Sequence, residues 1–192
     1  RNRGLCSIVG LFGADQLLAP EALKILNNVF DDSNFPGACA SNAFFGGQLI
    51  RTYSFSPAGF EMNASEISGN STAPGTPGGR FFIRGSDNLI KQNQFTHQYY
   101  GSQFYGSSQN NRVFLNDFSK RVEFPEGAPL LNYFDDGVGT GNHWLPYDET
   151  SEGCFDLDGN ARCDTPYTVW GGSPLMEDHF PLGQGSVDIA PH

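Results

Sequence analysis

The chain has 192 residues, 38% of them apolar, and carries 21 acidic against 11 basic side chains, for a formal charge of −10. That balance excludes nucleic acid as a partner, since neutralising phosphates takes clustered Lys and Arg. No apolar run nears the roughly 18 residues of a membrane-spanning helix, so membrane insertion is not expected.

With 24 Gly and 17 Phe, many Asn and Ser, and little Lys or Glu, the composition disfavours helices and favours short strands joined by tight turns. The expectation is one all-β domain. The chain opens at Arg1 without a signal-like stretch, as a processed product would. An apolar alternating run follows at Leu5–Phe12 with no helix to cap it. An uncapped stack of strands leaves unpaired edges, which points to a homo-oligomer or polymer formed through this end. Pro20 and Glu21 predict a short helical turn before Leu26.

The middle of the chain repeats itself. At a constant offset of 23 residues, Phe81 meets Phe104, Phe82 meets Tyr105, Asn88 meets Asn111, Ile90 meets Val113, Asn93 meets Asn116 and Phe95 meets Phe118. The same offset backwards pairs Ile67 with Ile90 and Asn70 with Asn93. Ile25–Phe30 carries the same signature 65 residues before Ile90–Phe95, about three periods, with a loose register near Phe44–Phe55 between them. Alternating segments at this period fit one turn of a β-solenoid, and the helical stretch of a βαβ unit is missing. The recurrent Asn is expected at the corners, where it tolerates left-handed backbone and can stack from turn to turn. The recurrent Phe is expected inside. Residues 69–79, with Pro74 and Pro77, predict a loop leaving the wall. Asn63-Ala64-Ser65 and Asn70-Ser71-Thr72 are glycosylation sequons, although a corner Asn70 would face inward.

The last quarter is the most specific stretch. Gly141-Asn142-His143-Trp144 and Tyr147-Asp148 precede an acidic loop bracketed by Cys154 and Cys163. Asp156, Asp158, Asn160, Arg162 (through its carbonyl) and Asp164 occupy alternate positions with Gly159 at the turn, the spacing of an oxygen-lined calcium loop. Asp148 or Glu149 would complete the shell. No helical pattern flanks this loop, so the calcium is expected to be structural. Four cysteines allow three pairings. Proximity favours Cys154–Cys163, leaving Cys6–Cys39, and two disulfides imply an oxidising compartment.

These residues carry a resemblance. Asn116-Asp117-Phe118, Gly141–Trp144, Tyr147-Asp148, Asp156–Asn160, Asp164-Thr165-Pro166-Tyr167, Gly171-Gly172 and Asp178–Leu182 are similar to the C-terminal end of the NosD-like β-helices, whose repeats are of the carbohydrate-binding and sugar-hydrolase type. The resemblance covers residues 60–182. It implies a right-handed parallel β-helix of about 22–23 residues per coil, with coils over residues 1–140 and a loop-rich cap over 141–192 in the same domain. It also implies export, and in one branch copper handling. Copper sites want clustered His, Met or Cys, whereas His97, His143, His179 and His192 are far apart in sequence and only Met62 and Met176 accompany them. His143 stands where the family often has Tyr, which suggests packing.

Three functions follow in order. The first is a non-catalytic, secreted or surface structural module. The second is glycan binding through Tyr99, Tyr100 and Tyr105, or glycan cleavage by carboxylates among Asp31, Asp32, Asp87, Asp117, Asp135 and Asp136. The third is copper handling. No catalytic residue is assigned, because Asp31-Asp32 and Asp135-Asp136 read as turns, adjacent side chains on a strand facing opposite ways.

Overall fold

The computed structural model describes residues 9–10, 24–27, 29–30, 48–51, 63–72, 80–95, 101–105, 108–125 and 130–184. Short strands dominate them, so the chain is all-β. They are β1 (Val9–Gly10), β2 (Lys24–Leu26), β3 (Val29–Phe30), β4 (Gln48–Arg51), β5 (Glu66–Ser68), β6 (Ser71–Thr72), β7 (Arg80–Ile83) and β8 (Leu89–Lys91). Next come β9 (Gln94–Phe95), β10 (Gln103–Phe104), β11 (Arg112–Phe114), β12 (Asp117–Phe118), β13 (His143–Trp144), β14 (Tyr167–Trp170) and β15 (Met176–Asp178). Among the described residues the two helical pieces are single 3-10 turns at Leu145–Tyr147 and Thr150–Glu152.

Up to β12, consecutive strands do not pair with each other. They are dealt into three parallel sheets, ordered β1-β4-β7-β10, β2-β5-β8-β11 and β3-β6-β9-β12-β13, and β14 and β15 form a separate antiparallel pair. Up to β12 every third strand is therefore a neighbour, and each strand triplet lies directly on the one before. Strands this short alternate their side chains, and one central residue of each strand in the second sheet points inward. Ile25, Ile67, Ile90 and Val113 align in register and are all buried. Each such side chain contributes about 2–3 kcal/mol by leaving water.

The 23-residue offset holds where it was read from Ile67/Ile90/Val113 and from Phe95/Phe118. Two expectations need correction. First, Phe104 pairs with Ile83 and Gln103 with Phe82, in place of the expected Phe104 with Phe81 and Tyr105 with Phe82. The corner before β8 spans residues 84–88 and the one before β11 spans 105–111, so two extra corner residues shift the first sheet by two. Second, Ile25 pairs directly with Ile67. The Ile25–Phe30 copy is thus two triplets before Ile90–Phe95, not three, and the unit between them is one long turn whose first strand is β4. Of the expected loop over 69–79, Ser71–Thr72 forms β6 and residues 73–79 lie outside the described residues. Of the expected helical turn, Lys24–Leu26 is strand and residues 19–23 lie outside the described residues.

The corners carry two asparagine ladders. In the first, Asn70 Nδ2 donates to Asn93 Oδ1 (2.8 Å), Asn93 to Asn116 (2.9 Å) and Asn116 to Asn142 (2.9 Å). In the second, Asn88 donates to Asn111 and Asn111 to Asn132, each at 2.8 Å. The same Nδ2 groups also reach backbone carbonyls, as Asn93 does at Ile67 and Lys91. Each buried amide is therefore satisfied, as burial demands. The left-handed backbone falls one residue earlier than expected, at Gly69, Asp87, Gln92, Asn110 and Leu115. The ladder Asn contributes its side chain, while its predecessor turns the corner.

Asn70 is 1% exposed and its Nδ2 sits inside the ladder, so a folded chain leaves no room for a glycan there. Asn63 is only partly covered. Gly101 shows how closely the triplets stack: a Cβ there would lie 2.0 Å from the Arg121 carbonyl oxygen.

Candidate functional site

The C-terminal stretch closes the stack, starting from β13. Trp144 is fully buried, stacked on Phe118 with centroids 4.7 Å apart and packed against Tyr167, also at 4.7 Å. Its indole Nε1 donates to Asp178 Oδ2 at 2.8 Å. Asp178 is completely buried and takes the next position of the first ladder, its Oδ2 accepting from Asn142 N (2.7 Å) and Asn142 Nδ2 (3.2 Å). Phe180 N donates to the other oxygen at 3.1 Å. Burial pushes this carboxyl up to about 7, against the pull of those four N–H groups. Gly141 makes the approach possible, because a Cβ there would stand 1.8 Å from Asp178 Oδ1.

His143 is not merely packed, as its position suggested. Nδ1 meets Asp117 Oδ1 at 2.8 Å and Nε2 meets Asp148 Oδ2 at 3.0 Å. Burial opposes a charge on this ring, yet the hydrogen bonds and charges of the two carboxylates outweigh it and raise its pKa. Burial also raises Asp148, and Glu152, hydrogen-bonded at the Asp148 N–H, pushes the same way. Asp148 thus serves His143, not the acidic loop, while Glu149 caps Thr150–Glu152.

The expected disulfide between Cys154 and Cys163 is present, with Cα atoms 4.7 Å apart. Cys6 and Cys39 lie outside the described residues. The loop inside the disulfide is bolted to the third sheet, since Cys163 N donates to Pro181 O, Gly183 N to Ala161 O, and Leu182 bridges both His143 and Arg162.

Within the loop, the predicted ligand residues are all exposed, and the side-chain oxygens of Asp156, Asp158, Asn160 and Asp164 are turned onto the loop's own amides. Asp156 accepts from Asn160 N (3.0 Å) and Ala161 N (2.9 Å), and these bonds hold its carboxyl below the usual range despite some desolvation. Asp158 faces Asn160, Asn160 Oδ1 accepts from Arg162 N, and Asp164 Oδ2 accepts from Leu157 N at 2.7 Å. The donor types suit a hard cation. Their orientation is satisfied without one, and among the described residues no three His, Cys, Asp or Glu side chains converge as metal ligands.

The remaining candidates scatter. Asp87 is exposed on a corner, Asp117 is held by His143, and Asp135 is held by His179 Nδ1 at 2.8 Å. Asp136 accepts three backbone N–H groups in the turn that follows, as the adjacent-acid reading expected. Tyr105 is half-buried and donates to Gln103. Asp31, Asp32, Tyr99, Tyr100, His97, His192 and Met62 lie outside the described residues.

Sequence reasoning missed Asp178 and Met176 as ladder ends and Asp117 and Asp148 as partners of His143. Asp178 stands in a quoted motif, but its partner Asn142 is 36 residues away, off the repeat spacing.

Comparison with curated proteins and with solved structures gives no match. The family described as "Periplasmic copper-binding protein (NosD)" matches residues 21–149, about two thirds of the chain. The matched stretch includes the early triplets, which the resemblance had touched only at Ile25–Phe30, and stops before the acidic loop. By the extent of that match, this chain belongs to the NosD family.

Proposed function

We propose that this protein is an exported, non-catalytic right-handed parallel β-helix that serves as a structural or surface module. The observation that carries it is the pair of asparagine ladders, which spend each rung's buried polar groups on holding the next. The order of the three sheets and the 23-residue register support the helix. The Cys154–Cys163 disulfide and the periplasmic description of the family support an extracytoplasmic setting.

Self-association through the β1–β2–β3 edge is part of the proposal, since these strands end their sheet orders among the described residues and a strand edge left unpaired templates another chain. Sedimentation and negative-stain microscopy test it: extended or discrete oligomers are expected, and monomers at every concentration would remove it. Structural calcium in the 156–164 loop is a further element, supported by the spacing of its oxygen groups. A ligand that binds only the folded state must raise its melting temperature, so an unchanged midpoint with calcium or chelator would remove that element. Release of reducing ends from a glycan panel would replace the structural reading with the enzymatic one.

Copper handling is the second reading, favoured by the family's description as copper-binding. His143 counts against it, since both ring nitrogens already face carboxylates. Stoichiometric Cu(I) retention against a chelator competitor would bring this reading to the front.

A further inference from the structure

The fold treats its two glycosylation sequons differently. Asn70 belongs to the first ladder, its Nδ2 donating to Ile25 O (3.0 Å), Ser68 O (3.1 Å) and Asn93 Oδ1 (2.8 Å). A sugar on that nitrogen would displace a donated hydrogen where no solvent reaches. Asn63 stands at the corner before β5, outside both ladders. Its Oδ1 accepts from Ser86 N at 2.8 Å, one 23-residue step ahead, and this bond orients the amide. Among the described residues its Nδ2 has no hydrogen-bond partner, and it is not a buried nitrogen, so it faces water.

The ground around Asn63 suits a hydrated substituent. Ser86 and Gln109 continue its corner row through the next two triplets, bridged to each other. Ala64, Asp87 and Asn110, each one residue further on, share the left-handed backbone that turns this corner. Asp87, Gln109 and Asn110 are exposed, so a group on Nδ2 would stand over polar corner residues and clear of the ladders. An N-glycosidic bond replaces one of the two Nδ2 hydrogens and leaves Oδ1 free to keep Ser86 N.

We propose that Asn63 carries an N-linked oligosaccharide and that Asn70 does not. In the linking step Nδ2 bonds to the anomeric carbon of a sugar carried on a lipid pyrophosphate. The bond from that carbon to the pyrophosphate oxygen breaks, its electron pair leaves with the lipid pyrophosphate, and one Nδ2 proton passes to a base of the transferase. Ser65, which completes the acceptor triplet, is buried in the folded chain with Oγ donating to Asn63 O at 2.9 Å. Transfer therefore belongs to the extended chain, before β5 docks between β2 and β8, and the fold then decides which acceptor it tolerates. Glu61, two residues before Asn63, adds a charge that a basic acceptor groove can recognise, whereas Ser68 takes that place before Asn70. The inference rests on the exported setting proposed above, where lipid-linked sugars are met.

The test uses the full chain, carried by an added export leader into the periplasm of a bacterial host that makes a lipid-linked oligosaccharide and its transferase. The host supplies export, so this arm reads the site alone, and fractionation of the source cells tests the exported setting separately. Cleavage after Glu61 and Glu66 puts Asn63 and Asn70 on different peptides for mass spectrometry. In soluble chain whose leader has been removed, the Asn63 peptide is expected to gain the oligosaccharide mass and the Asn70 peptide to stay bare. Asn63→Gln is expected to abolish the modification and Asn70→Gln to leave it in place. Should either variant fail to fold, the wild-type peptide map decides. A bare Asn63 on translocated chain would overturn the proposal, and so would an oligosaccharide on Asn70 in the soluble fraction.

Discussion

The strand triplets over residues 63–125 and the closing stretch over 141–184 are fastened by different chemistry. Across the triplets the buried polar contacts are neutral amides, repeated with nearly the same distance at each rung. At the close each fastening is used once, and several can change state: His143 between two carboxylates, Asp178 at the end of β15, and the Cys154–Cys163 bond. Neutral ladders are indifferent to pH and redox conditions, whereas the close is open to both. The environment can therefore reach this fold at its end without touching its wall.

The sharpest way to break that contrast is Asn116→Ala. It removes the donor to Asn142, Ile90 and Phe114 and the acceptor for Asn93. Several buried groups lose partners at 1–3 kcal/mol each, so about 4 kcal/mol should be lost. Urea unfolding should show that loss unchanged between pH 6 and pH 8 (values about a unit either side of neutrality); a strong pH dependence would mean that the wall is not the indifferent partner.

Reduction of Cys154–Cys163 comes next. Releasing so short a loop should cost about 2–3 kcal/mol. Hydrogen exchange should quicken at residues 154–184 while Ile67, Ile90 and Val113 keep their protection, and equal loosening of both regions would erase the distinction. The smallest effect is that of His143→Gln. The His143 pKa is raised in the fold, so its contribution is full below about pH 6.5 and vanishes as pH rises through the folded value. The variant should lose up to about 1 kcal/mol in mild acid and little in alkali, measured as the pH dependence of melting. A loss that stays constant with pH would return His143 to a packing role.

The wall was legible because it repeats: Ile67, Ile90 and Val113 needed only a fixed offset to be placed on one another. What was lost there was corner length. Two extra residues before β11 displaced the Phe81–Phe104 pairing, and one long turn hid between Ile25 and Ile67. The disulfide was legible from proximity alone. The carboxylate partners of His143 and the ladder ends at Met176 and Asp178 were not, since contacts formed once leave no period to detect. The acidic loop was read from spacing alone, and in the structure its carboxylates accept from the loop's own amides.

One feature of the ladders reaches beyond stability. Each rung presents the same acceptor to the rung before it and the same donor to the rung after it. Any rung can therefore be followed by a copy of itself, and the molecule's length becomes a countable quantity. A duplication of residues 89–111 in register would add one step of about 4.8 Å and leave the closing strand to meet an identical last amide. Such a chain can grow or shorten as a ruler does, by whole divisions, with its end piece moved along intact.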